Sequence, residues 1–200
     1  MRITITTCLM IIGGLLCMGC AAARPVHYYT IQPAIQSAAN PGTPEGLTLL
    51  VGDIVTPASL QDGRIRYRFG DNEMGAYEYH RWVAQPGSMV RTSLKRVLQG
   101  SGKYQRVLDA GSSATGDYLV RGKLEEFGEV DNASVQTVIS LQMELVDTKT
   151  NRSVWDRLVE REEPVSSKTV GDVVQSLDRN LQHVVSESAA EIEKFLETRR

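Results

Sequence analysis

The chain has 200 residues, with 22 lysines and arginines against 24 aspartates and glutamates, for a formal net charge of −2 at neutral pH. That balance excludes the basic tract of a nucleic-acid binder and the acidic run of a solvating tail, and it is too small to steer a charged partner over distance. The three cysteines, Cys8, Cys17 and Cys20, all lie near the N-terminus, so the body of the chain offers no disulfide, thiolate nucleophile or thiolate metal site.

The N-terminal segment has the anatomy of a bacterial lipoprotein signal peptide. Arg2 supplies the charged start, Leu9 to Met18 an apolar run, and Gly19 a small residue before Cys20. The run is too short for a spanning helix, which needs roughly 20 apolar residues. The expected organisation is a signal peptide over 1–19, a tether over 20–25 beginning at lipidated Cys20, and a single domain over 26–200. Cys17 stands where a lipobox usually has leucine, and Leu16 lies one place early; a plain signal peptide cut near Ala23 is the alternative. Acyl chains at about 0.8 kcal/mol per buried CH₂ would make the anchor effectively permanent.

Val26 to Gln32 reads as a first strand, ended by Pro33. The segment from Ala34 to Gly46 is loop-like in composition. Leu47 to Val55 is a near-continuous apolar run that suits a strand at the sheet centre, covered on both faces. Arg64 to Phe69 alternates with period two, placing Ile65, Tyr67 and Phe69 on one face and Arg64, Arg66 and Arg68 on the other. Residues 70–73 then lead through a hairpin into Ala76 to Arg81.

Pro86 fits the first turn of a helix whose apolar stripe is Val90, Leu94, Val97 and Leu98, with Gly100 and Gly102 as stops. Tyr104 to Leu108 is a short strand. Tyr118 to Phe127, Val135 to Leu145 and Ser153 to Glu160 read as a long antiparallel meander with one solvated face. From Thr169, in a capping-box-like position with Asp172, a helix carries Val170, Val174, Leu177, Leu181, Val184, Ile192 and Phe195, with its apolar face interrupted at Ser188 and its end near 194–200 projecting or frayed. The fold class is α+β: a mixed, mostly antiparallel sheet with two helices packed on one face.

No catalytic constellation is visible, and the reading is not an enzyme. His27, His80 and His183 are far apart and lack ligand partners at helical spacing, so no metal site is expected. Neither a nucleophile elbow nor a phosphate loop occurs, and no cofactor is expected. Adjacent carboxylates such as Glu125 and Glu126 point to opposite faces of a strand. The Arg64, Arg66, Arg68 row can meet phospholipid head groups or an acidic partner, or it can be a charged edge that prevents unwanted sheet pairing.

Cys20, the segment Tyr28-Tyr29-Thr30-Ile31, the run Val51 to Leu60 with Pro57, and Tyr79-His80-Arg81-Trp82-Val83-Ala84-Gln85-Pro86 before a helix occur in an order that resembles the ABC-type transport auxiliary lipoprotein family. The chain departs from that pattern at Ile31, Val83 and Gln85, where the family tends to Leu, Ala and Glu. The resemblance implies a non-enzymatic accessory of an envelope lipid transport system that pairs an ABC permease and ATPase with a mammalian-cell-entry (MCE) protein. It also implies an outer-membrane anchor facing the periplasm, with inner-membrane retention as the alternative; Ala21 after Cys20 fits outer-membrane sorting. Homo-oligomerisation to match an MCE ring is conceivable on this view, and no nucleic acid is involved. Arg81 and Trp82 are the first contact candidates, since Arg and Trp are enriched at binding hot spots, although a buried Trp82 locking the helix start is an equal alternative. A lipid-binding carrier and a structural or secretion-accessory lipoprotein are the other functional readings.

Overall fold

The computed structural model describes residues 24–31, 45–70, 72–111 and 113–199. The segment read as a signal peptide, Cys20 and most of the loop read from Ala34 lie outside the described residues.

Eight strands form one mixed sheet: β1 (His27–Tyr29), β2 (Glu45–Val55), β3 (Arg64–Phe69), β4 (Glu73–Trp82), β5 (Tyr104–Asp109), β6 (Tyr118–Asp131), β7 (Val135–Asp147) and β8 (Arg152–Pro164). Two helices, α1 (Pro86–Gly100) and α2 (Val170–Glu197), pack on one face, as the apolar periodicities require. The fold is α+β. The second strand begins two residues earlier than its apolar run, because Glu45 extends the pairing with β5 to Tyr104.

The spine is β6. One of its edges pairs with β7 along its whole length. Its other edge is shared, with β2 parallel to it from Tyr118 to Lys123 and β3 parallel to it from Glu129 to Asp131. The sheet therefore divides beside β6 into a β2–β5 wing and a β3–β4–β1 wing. The helices cover the first wing and the β6–β7–β8 meander, where Leu49, Val51, Val120, Leu124, Ile139, Leu141, Met143 and Leu145 meet Val90, Leu94, Leu98, Leu177, Leu181 and Val184. Each such side chain contributes about 1.5–3 kcal/mol when buried.

Helix α1 starts on a tight contact. A Cβ on Gly87 would stand 2.5 Å from the Ile54 carbonyl oxygen, so only glycine lets the first turn rest on β2. At the other end the helix stops at Gly100, and Gly102 takes the left-handed φ of 67° that releases the chain into β5.

Helix α2 begins as its cap predicts: the Thr169 hydroxyl accepts from the Asp172 backbone N–H. Ser188 does not interrupt its buried face. It is fully buried because its hydroxyl donates to the Val184 carbonyl at 2.8 Å, satisfying its polarity within the helix. Nor is the end loose, since Leu196 is buried and Lys103 bridges Glu193 and Glu197. The helix also carries Ser176 and Asn180, both fully buried. Asn180 Nδ2 donates to the carbonyls of Thr137 and Arg161, each at 3.0 Å, and the Ser176 and Thr137 hydroxyls are 2.8 Å apart. This polar cluster fixes the helix on β7 and β8 at one rotation.

Candidate docking surface

The β3–β4–β1 wing carries the contact candidates Arg64, Arg66, Arg68, Arg81 and Trp82, while Trp155, a weaker candidate by sequence, lies on β8. Arg64 pairs in register with Arg81, and Arg81 with Tyr28, so Tyr28, Arg81 and Arg64 form a row across three strands. Cross-strand partners share a face, and their side chains are neighbours. Tyr28 is 65% exposed, while Arg81 is half-buried.

Two arginines opposite each other repel, and the turn before β3 answers this with Asp62. Its carboxylate accepts from the Arg64 backbone N–H at 3.1 Å, from Arg64 Nε at 2.8 Å and from Arg66 Nη2 at 2.7 Å. Partial burial alone would raise this carboxyl, but the Arg64 N–H and guanidinium and the Arg66 charge hold it below the usual carboxylate range. Arg68 is held by Glu126 at 3.0 Å. The arginine row thus has its own carboxylates. Arg81 forms no ion pair with any carboxylate among the described residues.

The charged-edge reading of β3 is corrected: this strand is interior, with β4 on one side and β6 on the other. Its arginines answer local acids rather than guarding an open edge. The face shared by Ile65, Tyr67 and Phe69 is also graded rather than uniformly covered. Ile65 is fully buried, whereas Phe69 is 57% exposed because it lies past the reach of the helices.

Trp82 is 5% exposed, and its indole meets the Phe127 ring edge-on at 5.6 Å. Its N–H donates from the backbone to the Gly63 carbonyl at 2.7 Å, which ties the end of β4 to the turn before β3. Burial supports the role of locking the helix start and removes Trp82 from the surface. Gln85 completes that lock through Nε2 donating to the Gln61 carbonyl.

The opposite side of the same wing holds an aromatic cluster that sequence reading did not assemble. The His27 and His80 rings stack at 5.2 Å, and the Tyr29 hydroxyl shares a 2.9 Å hydrogen bond with His80 Nδ1. Tyr77 meets His80 edge-on and donates to the buried Glu129 carboxylate at 2.5 Å. Burial, and then Glu129, push the Tyr77 hydroxyl well above its usual range, so it remains a donor. Burial, followed by His27, holds the His80 imidazolium below its ordinary pKa. The parallel register of β1 with β4 creates this cluster, and residues 51 positions apart leave no local trace of it.

Among the described residues no three His, Cys, Asp or Glu side chains converge as metal ligands, and no helix is long and apolar enough to cross a membrane. A cleft of about 530 Å³ on the sheet is lined by Asp53, Val55, Arg121, Lys123, Gln142 and Glu144. Its lining is mostly charged, and the Arg121–Glu144 pair spans it at 2.7 Å.

A family described as the ABC-type transport auxiliary lipoprotein component matches residues 29–189. No curated protein matches the chain. A crystal structure of a Xanthomonas campestris protein superposes with a TM-score of 0.74 at 20% identity, over 88% of this chain and 100% of its own. A second crystal structure, of an uncharacterized protein, gives 0.66 at 16%, over 84% and 99%. The PelC dodecamer from Paraburkholderia phytofirmans gives 0.44 at 15%, over 79% and 97%, a likeness too low to bear on this chain. At these identities the first two establish the shared fold.

Proposed function

This chain belongs to the ABC-type transport auxiliary lipoprotein family, and we propose that it is a non-enzymatic docking subunit of an envelope lipid transporter. On this reading residues 1–19 are removed, Cys20 is acylated, 20–25 are the tether, and the domain from 26 onward is held on the periplasmic face of the outer membrane. Its partner is the periplasmic MCE assembly served by an ABC permease and ATPase. The family match over most of the domain is the observation that carries the proposal.

The docking surface we assign is the Tyr28–Arg81–Arg64 row. Arg81 offers a guanidinium that an acidic partner residue can engage bidentately, beside an aromatic ring that is already exposed. Arg64, Arg66 and Arg68 contribute positive potential, tempered by Asp62 and Glu126.

The test is affinity capture of the acylated protein from cells after crosslinking, with Cys20→Ala as control. Recovery of an MCE protein with the wild type, reduced for the unanchored control, supports the proposal. Recovery of outer-membrane assembly components in its place would favour a structural lipoprotein, and phospholipid retained on the purified domain would favour a carrier.

A further inference from the structure

We infer that the β3–β4 hairpin end is a membrane-contacting tip that rests in the phospholipid interface beside the anchor. The inference depends on the reading that Cys20 is acylated.

Seven large apolar side chains are well exposed among the described residues, and five of them lie on or next to β1, β3 and β4: Val26, Tyr28, Phe69, Met74 and, at the end away from the hairpin, Val83. Phe69 and Met74 are 57% and 62% exposed and occupy the last rungs of the hairpin, where Phe69 pairs with Glu73 and Arg68 with Met74. Successive rungs alternate between faces, so the hairpin ends with one apolar side chain on each side. Isolated exposed apolar residues need no explanation, but a pair straddling a hairpin tip has the form of a shallow wedge.

The tether decides which surface that wedge meets. Strand β1 runs parallel to β4, with His27 beside His80, so the chain before β1 heads toward the hairpin end. The Arg24 guanidinium, 5.7 Å from the Tyr79 ring, agrees with that course. From Arg24 to Cys20 the chain can span at most about 14 Å. Glu73, the first residue of β4, marks the tip end of this wing. The start of β6 lies at the opposite end of its 14 residues, about 45 Å away at the usual strand rise. An anchor on so short a leash is near the tip and out of reach of that far end.

Charge selects the lipid. Near the tip stand Glu73, which is exposed, and Asp131, which is bridged by Lys168 at 3.1 Å. Lys168 already neutralises Asp131, so it is the exposed Glu73 carboxylate that disfavours an anionic surface and suits the ammonium group of phosphatidylethanolamine.

The test places a nitroxide label at Met74→Cys in the full acylated protein, with Leu158→Cys, 55% exposed on β8, as the reference. In phosphatidylethanolamine-rich vesicles the label at position 74 loses access to an aqueous relaxant, and the label at 158 keeps it. Equal access at both positions on acylated protein overturns this inference and leaves the docking proposal standing. Shielding of position 74 only after an MCE protein is added overturns it in favour of a protein contact. Absence of acyl mass on Cys20 overturns both the anchor and the tip assignment.

Discussion

Arg64 and Arg81 face each other across β3 and β4, and among the described residues only Arg64 has a carboxylate, Asp62, to neutralise it. A repulsive pair inside a sheet costs stability, so its retention beside an exposed tyrosine is most economically explained by a partner that supplies the missing negative charge. Arg81→Glu is therefore expected to weaken binding of the proposed MCE partner at least tenfold, about 1.4 kcal/mol, while leaving the melting temperature unchanged or slightly raised. Arg68→Ala, which removes a pair already satisfied by Glu126, should change affinity by less than about 1 kcal/mol. Titration calorimetry on the purified partners measures both.

Asn180→Ala removes the donor shared by the Thr137 and Arg161 carbonyls inside the helix–sheet contact. The expected loss is about 2 kcal/mol, the cost of stranding buried acceptors, with a fall in Tm of roughly 5 °C. Thermal unfolding followed by circular dichroism reads it.

Gly87→Ala puts a methyl group 2.5 Å from the Ile54 carbonyl oxygen, which belongs to backbone and cannot swing away. Although alanine is the better helix former, the substitution should destabilise by about 1–3 kcal/mol, reversing the sign expected from helix propensity. Denaturant unfolding of the two proteins decides the sign.

The His80 imidazole favours its neutral form in the fold, through burial first and His27 second. Its pKa is lower folded than unfolded, so its contribution is fully present above the ordinary value of 6.5 and is lost as pH falls through that value toward the folded one. An NMR titration should place the His80 midpoint below 6.5, and protection of β1 amides should decline over the same interval. A midpoint at or above 6.5 would contradict the assignment.

The elements were legible where burial has a period. The stripe Val90, Leu94, Val97, Leu98 and the alternation of β7 each specify one face of one element, and the Thr169 cap marks where α2 begins. What the sequence hid is what only pairing creates. The division of the β6 edge between β2 and β3 has no local signal, so the arginine strand looked like an edge when it is interior. Ser188 looks like a break in an apolar face because a polar residue is buried only when a carbonyl one turn back, or a partner far along the chain as for Ser176 and Asn180, takes up its hydrogen bond. For the candidate surface, sequence supplied Arg81 and the arginine row. Burial withdrew Trp82, and register added Tyr28.

Site-specific photocrosslinking from position 28 in cells addresses the docking claim most directly, because Tyr28 is exposed and lies beside Arg81. With a crosslinkable residue in place of Tyr28, the account predicts a covalent adduct to an MCE protein that is lost when Arg81→Glu is added. An adduct to an MCE protein from position 158 but none from position 28 would contradict the assigned surface, and no MCE adduct from either position would contradict the docking function itself.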